Sequence, residues 1–280
     1  MKKKSTAIIA AVCFCCSAFL CLAAAGKDVK SQKNTVAFEV GRICVSQVWP
    51  AVEWDGQEEK TAKASDRKKC KEEKAVSEVD NSKPQVIIYH THSSESYQPY
   101  SESNFHREEE TGTVREVGNV MAEELNKKGI AVVHDRTVHD RPSYNQSYER
   151  SLNTVTALMR QYPTAEIVID LHRDAAAYTG NKGETVVING ETVAKYKLVV
   201  GRGNDNYTEL ISFARAVNAA SEGLYPGFGG KILEKEYRYN EYIADRYLLL
   251  EVGNNQNDIE HAKNTGKYFA HVIASVLEGE

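Results

Sequence analysis

The chain has 280 residues and a formal net charge of −4, enough for one sizeable core plus an appendage and without the basic excess of a nucleic-acid binder. Its six cysteines are Cys13, Cys15, Cys16, Cys21, Cys44 and Cys70. Beyond residue 70 this excludes a disulfide, a thiolate nucleophile and a sulfur-ligated zinc.

Lys2, Lys3 and Lys4 precede residues 5–25, which carry no charge. That run is close to the ~20 residues that cross a bilayer as a helix. The basic flank keeps the N-terminus inside and sends the rest outward. The run is longer than a usual signal-peptide core, which favours an uncleaved signal anchor over cleavage near Ala23-Ala24-Ala25. The expected location is therefore the cell membrane, single-pass, with the remainder extracytoplasmic. Residues 26–83 read as an extracytoplasmic linker. Trp49 and Trp54 give its first part something to dock with, while residues 55–83 are dense in Lys, Glu and Asp. Such a composition buries too little apolar surface to offset ordering entropy. Cys44 and Cys70 could pair only in an oxidising compartment.

Residues 84–280 read as a catalytic α/β domain. Residues 84–89 form a strand apolar enough for burial on both faces, and residues 97–112 a long polar surface loop. Val114, Val117, Met121 and Leu125 recur at helical spacing, with Gly129 ending the helix. A strand at 130–133 and a helix at 147–162 follow, the latter closed by Pro163. Residues 167–171 are a third apolar strand, running into His172-Arg173-Asp174. Asn189-Gly190 marks a type I′ turn in a hairpin spanning 185–200. Asn206 caps a helix to residue 221, and 223–231 is a glycine-rich loop without phosphate-loop spacing. Residues 247–252 form another strand, and Asn257 caps a last helix at 258–277. Strands alternating with helices argue for a mostly parallel open sheet flanked by helices.

In such a sheet, ligands gather beyond the carboxyl ends of the strands. His92, His172 and Glu251 each fall at or just past such an end. His92 with Glu95 gives H-x-x-E, a weak pattern alone, and imidazole and carboxylate are usual zinc ligands. Three protein ligands plus an open position is the catalytic zinc layout, so His92, Glu95 and His172 are the candidate ligands. Glu116, opening the first helix, is the rival carboxylate. Glu251 sits among Leu248, Leu249, Leu250 and Val252, where a carboxylate is costly without a task. General base is that task, since burial lifts a carboxyl toward the operating pH. His90 reads as a supporting group, Asp170 and Asp174 as groups that orient an imidazole, and Arg173 as either substrate-binding or bracing. His106, His134, His139, His261 and His271 read as ordinary polar residues. No G-x-S-x-G elbow supports a serine mechanism.

Residues 86–97 (VIIYHTHSSESY), 169–174 (IDLHRD) and 249–257 (LLEVGNNQN) resemble the signature stretches of the stage II sporulation protein P family, over about residues 84–280. That family is in turn distantly similar to the zinc-dependent N-acetylmuramoyl-L-alanine amidases. The resemblance implies a peptidoglycan hydrolase of engulfment that uses Zn2+, cleaves the muramoyl–L-alanine amide and also acts on stem-peptide crosslinks. It implies the stage II sporulation proteins D and M as partners. It supports His92 over His90 and matches His172 and Glu251, but leaves Glu95 against Glu116 open. From the residues alone, a zinc carboxypeptidase-like peptidase and a non-catalytic wall-binding scaffold are the alternatives.

Overall fold

Four consecutive apolar residues without polar alternation demand burial on both faces. Val86–Tyr89 (β1) finds it inside a six-stranded sheet, where none of the four is exposed. The computed structural model describes residues 79–80, 82–176 and 182–279. The expected anchor, nearly all of the expected linker and the Cys44–Cys70 question lie outside the described residues. The chain divides into Met1–Lys71 and Glu72–Glu280, and the described residues all belong to the second unit. Among them, no helix is long and apolar enough to cross a membrane.

The other strands are β2 (Val132–His134), β3 (Ile167–Asp174), β4 (Thr185–Ile188), β5 (Glu191–Ala194), β6 (Tyr196–Gly201), β7 (Gly229–Lys235) and β8 (Tyr247–Asn254). The main sheet runs β2-β1-β3-β8-β6-β7. Four of its five ladders are parallel and only β6–β8 is antiparallel, so the sheet is mostly parallel as its alternating pattern required. β1, β3 and β8 are adjacent and point the same way, which brings their carboxyl ends together.

Helix α1 (Val114–Lys127) buries Val114, Val117, Met121 and Leu125. It packs on α4 (Ile259–Glu278), which also contacts α3 (Tyr207–Leu224), forming one helical layer. The fit is close: a Cβ on Gly266 of α4 would stand 2.8 Å from the Val117 carbonyl oxygen. Phe269 of α4 meets Tyr196 of β6 edge-on, with centroids 4.8 Å apart. On the other face lies α2 (Ser147–Gln161), which reaches the sheet at β1. Val199, Leu233 and Leu249 of the sheet line a cleft.

Several boundaries differ from the sequence expectation. β3 continues through His172, Arg173 and Asp174 instead of leaving the sheet; His172 and Asp174 pair with β8, with an irregularity at Arg173 between them. Asn189 and Gly190 do form the left-handed turn, with φ of 51° and 85°, but the hairpin is β4–β5 alone, a separate two-stranded sheet. β6 joins the main sheet. β7 takes Gly229, Gly230 and Lys231 from the end of the expected glycine-rich loop and runs on to Lys235; its charged, half-exposed residues suit an edge strand, a pattern that hides a strand from a hydrophobicity reading. Asn206 occupies the expected N-cap position of α3, but its side chain makes no capping hydrogen bond and donates instead to the Ala244 carbonyl (3.2 Å). The last helix is capped by Asp258, which accepts from Glu260 N–H at 2.8 Å, while Asn257 accepts from Asn254 N–H. The loop at 97–112 starts in the core, since Tyr97 is fully buried and donates to the Val252 carbonyl (3.0 Å).

Candidate metal and catalytic site

Register places the first pair. His172 of β3 and Glu251 of β8 are direct partners in the parallel ladder. His92, three residues past the end of β1, turns to the same face. Its ring lies 5.5 Å from that of His172, centroid to centroid. Glu95 is one turn of loop further on, with Oε2 3.6 Å from His172 Nδ1. His92, Glu95, His172 and Glu251 all line one cleft of about 1110 Å³. Glu116 points elsewhere: it accepts from Gly112 N–H at 2.6 Å and pairs with Lys263 at 3.3 Å.

Each imidazole has one nitrogen held by an aspartate. His92 Nδ1 lies 3.0 Å from Asp140 Oδ1, leaving Nε2 as its other donor. His172 Nε2 lies 2.9 Å from Asp170 Oδ1, a close ion-pair contact whose alignment falls short of a hydrogen bond. Its Nδ1 faces Glu95. Asp170 is itself fixed by Thr91, which donates through N–H (2.7 Å) and Oγ1 (2.6 Å). Asp174, expected to orient an imidazole, instead accepts from Lys197 Nζ at 2.7 Å. Arg173 braces the loop. It donates to the Ser96 and Phe105 carbonyls (3.3 and 3.0 Å), and its N–H donates to Glu95 Oε2 (3.0 Å).

Burial raises the Glu95 pKa, but Arg173 and His172 outweigh it and leave the carboxyl lowered to about 2. Burial pulls His172 down, yet Asp170 and Glu95 on its two sides raise it well above the usual imidazole range. Glu251 behaves oppositely. Burial raises it to about 8, opposed by His172 and reinforced by Glu95 and Asp174. The residue is partly exposed as a whole, while its Oε2 is buried without a hydrogen-bond partner. A carboxyl oxygen in that state is a candidate for contact with something that enters the cleft.

Among the described residues, no group of three or more His, Cys, Asp or Glu stands as a ready metal cluster. The candidate donors are turned on one another, with His172 on Glu95 and Glu95 on Arg173. The donor set nevertheless fits a zinc ion chemically: two imidazoles, each with its second nitrogen on a carboxylate, and one ionised carboxylate.

Two neighbours of this set carry no motif that the chain order reveals. Asp140 follows β2 and reaches His92 across 48 positions; it also accepts from Ser94 N–H at 2.6 Å. Tyr144 stacks on His92, with centroids 4.0 Å apart and planes 7° apart. His106 meets Tyr144 edge-on, with centroids 5.3 Å apart. The H-D-R-P turn had no apolar period to place it beside β1.

His90 goes the other way. It is fully buried, with Nδ1 2.9 Å from the Leu171 carbonyl and Nε2 2.8 Å from His134 Nε2. Burial lowers its pKa well below the usual imidazole value. The pair lies under α1, where a Cβ on Gly118 would come 2.5 Å from His134 Nε2.

A mostly parallel α/β sheet with a histidine–carboxylate cleft near its strand ends defines the class: a helix-flanked α/β domain with a candidate metal-binding cleft. The family model for stage II sporulation protein P matches residues 45–274, and the chain belongs to that family. The stage II sporulation protein P of Bacillus subtilis (strain 168) is 28% identical over 205 residues, 68% of this chain and 50% of the relative. The chain thus spans about half the length of the curated relative it matches. Solved structures of similar fold include an N-acetylmuramoyl-L-alanine amidase from Clostridium difficile 630, 16% identical with a TM-score of 0.40 over 71% of this chain and 96% of that one. Another is the CwlD amidase from Clostridioides difficile in complex with the GerS lipoprotein, 9% identical with a TM-score of 0.44 over 70% and 100%. The catalytic domain of CwlV, an N-acetylmuramoyl-L-alanine amidase from Bacillus (Paenibacillus) polymyxa var. colistinus, is 15% identical with a TM-score of 0.41 over 70% and 97%.

Proposed function

We propose that this chain is a peptidoglycan hydrolase of sporulation that cleaves the N-acetylmuramoyl–L-alanine amide with zinc. His92, Glu95 and His172 are the ligands and Glu251 the general base. The observation that carries the reading is the paired arrangement at the strand ends. Each imidazole has one nitrogen on an aspartate, Glu95 lies against His172, and the Glu251 carboxyl stands beside them with Oε2 unpartnered.

Zinc bound by these residues supplies Lewis acidity toward the scissile carbonyl and acidifies a water. Asp140 and Asp170 hold the two imidazoles in orientation. Arg173 keeps Glu95 ionised and the 95–106 loop in place. Glu251 takes the proton from the attacking water and returns it to the departing L-alanine amine, a shuttle for which a pKa near neutrality is suited. The same reading includes single-pass attachment to the cell membrane, an extracytoplasmic domain, and work alongside the stage II sporulation proteins D and M.

The test is a digest of purified cell wall by wild type and Glu251→Gln side by side, with metal content measured on both. About one zinc per chain and release of intact stem peptides by wild type alone are expected. Full activity after thorough chelation, or equal activity of Glu251→Gln, overturns the reading. Cut stem peptides in the same digest report crosslink hydrolysis.

A further inference from the structure

Two arms of aromatic rings leave His92; Tyr144, Tyr148 and Tyr239 line the cleft, and Tyr237 stands outside its lining. Through Tyr144 the rings lead to His106 and a charged loop that holds Glu102, Arg107, Glu108 and Glu109. Through Tyr148 they lead to the loop between β7 and β8, where Glu236 and Arg238 flank Tyr237 and are drawn into ion pairs with Arg202 and Asp205. Tyr148 meets His92 edge-on at 5.6 Å, Tyr239 lies 5.7 Å beyond Tyr148, and Tyr237 lies 6.0 Å beyond Tyr239. The described residues include five exposed large hydrophobic side chains, and three of them, Tyr144, Tyr237 and Tyr242, sit on these arms or on the loop that carries the second. Tyr237 is 71% exposed.

The loop between β7 and β8 is built to hold those rings out. Tyr239 has a φ of 51°, a left-handed backbone that a bulky aromatic adopts only when its surroundings impose it. The surroundings are identifiable. Asn240 donates to the Tyr148 carbonyl (3.1 Å) and to Ser151 Oγ (3.0 Å) of α2. Glu241 accepts from Gly201 N–H (2.6 Å) and Asn204 Nδ2 (3.0 Å) at the end of β6. The loop backbone lies against Gly201 and Gly203: a Cβ on Gly201 would collide with the Tyr237 carbonyl, and one on Gly203 would stand 3.1 Å from the Glu236 carbonyl. Anchors on both sides and strain at the crest mark a loop that presents its tyrosines, not one that merely connects two strands.

We propose that Tyr148, Tyr239 and Tyr237, a chain of tyrosine rings, form a subsite for an uncharged saccharide strand, leaving the arm through Tyr144 for the peptide. The inference rests on the amidase reading, in which the bond at the site joins a sugar unit to a peptide and the two sides of the cleft take different chemistries. N-acetylated sugars are neutral, with apolar ring faces and polar edges. They match tyrosine, which offers a flat apolar face and a hydroxyl that stays neutral. A stem peptide with free carboxylates and amines matches Glu102, Arg107 and Glu109.

The test uses the full chain carrying Glu251→Gln, so that nothing turns over, and a peptide-free probe, an N-acetylglucosamine tetramer, titrated by calorimetry or ligand-observed NMR. Tyr237→Ala should weaken tetramer binding by about tenfold, and Tyr237→Trp should restore it. Because Tyr237 is exposed, its replacement leaves the core intact, and an unchanged unfolding midpoint verifies that. Tyr239→Ala is the second arm, with a comparable loss expected. Failure of the tetramer to bind, or equal binding by both alanine variants and the parent, overturns the proposal. So does weakened binding of a free stem peptide with tetramer binding unchanged, which assigns the arm to peptide. If tetramer binding depends on Tyr237 while the wall digest releases no stem peptides, the saccharide subsite stands and the amidase reading falls.

Discussion

The two faces of the sheet are built from the same strands and have opposite characters. One is closed by α1, α4 and α3 and packed with Val117, Met121, Phe269 and Ile273. The other carries Asp170, His172 and Glu251, receives one helix and opens into the cleft. His90 and His92, two positions apart, show what the difference does. His90 turns toward the α1 side, is locked against Leu171 and His134, and has its pKa depressed by burial. His92 turns to the cleft and keeps a nitrogen for chemistry. His90 and His92 part because the chain leaves β1 at Tyr89 and turns, whereas within β3 and β8 side chains alternate, so a shift of one residue there would exchange a core leucine for a cleft carboxylate.

The largest expected effect is on the open face. Glu251→Gln should lower amide cleavage by about 10²–10⁴-fold while retaining zinc, because general base catalysis is what the substitution removes. Wall-digest rates with metal analysis check this. Next comes the histidine pair. His92→Asn should abolish stoichiometric zinc with little change in stability. His90→Asn should keep zinc and destabilise the fold by about 1–3 kcal/mol, through buried groups left unsatisfied. Denaturant titration and metal content on both variants decide whether the two faces are as separate as described. Asp140→Asn should weaken zinc affinity by about 10–100-fold without disrupting the fold, because Asp140 orients His92. A chelator competition measures it, and an unchanged affinity would remove Asp140 from the site.

The smallest effect concerns Glu241, buried under the tyrosine loop. Burial raises its pKa from 4.5 to about 8, opposed by the Gly201 N–H and Asn204 hydrogen bonds. The folded state therefore binds more protons than the unfolded state between those values, so its contribution to stability is present below about 4.5 and lost as pH rises toward 8. Glu241→Gln should gain stability relative to wild type as pH goes from 5 to 8, read from thermal midpoints across the series. A constant difference would show that Glu241 does not titrate there.

Much of the fold was legible where burial is two-sided. β1, β3 and β8 are continuous apolar runs, and α1 and α2 show clear helical spacing, so their existence and the mostly parallel sheet followed. β7 was not legible, because an edge strand with Gly229, Gly230, Lys231 and Glu234 satisfies its exposed side with charge and looks like a loop. Cap chemistry was not legible either: Asn206 stands at the N-cap but its side chain goes to the Ala244 carbonyl, and Asp258 caps the last helix while Asn257 accepts from Asn254 N–H, because sequence spacing does not reveal which backbone group each asparagine meets.

The sequence by itself determined that His92, His172 and Glu251 fall near the carboxyl ends of core strands, where apolar runs give way to polar residues, although β3 and β8 continue past His172 and Glu251 to Asp174 and Asn254. Family membership followed from the same stretches. The tertiary structure alone decided the partners of those residues: Asp170 but not Asp174 beside His172, Asp140 on His92, Glu95 near the histidines with Glu116 tied to Gly112 and Lys263, and three tyrosines from two elements in one line. Those choices depend on strand order, register and the direction of side chains over tens of residues. Such long-range geometry leaves no periodic trace in the chain that produces it.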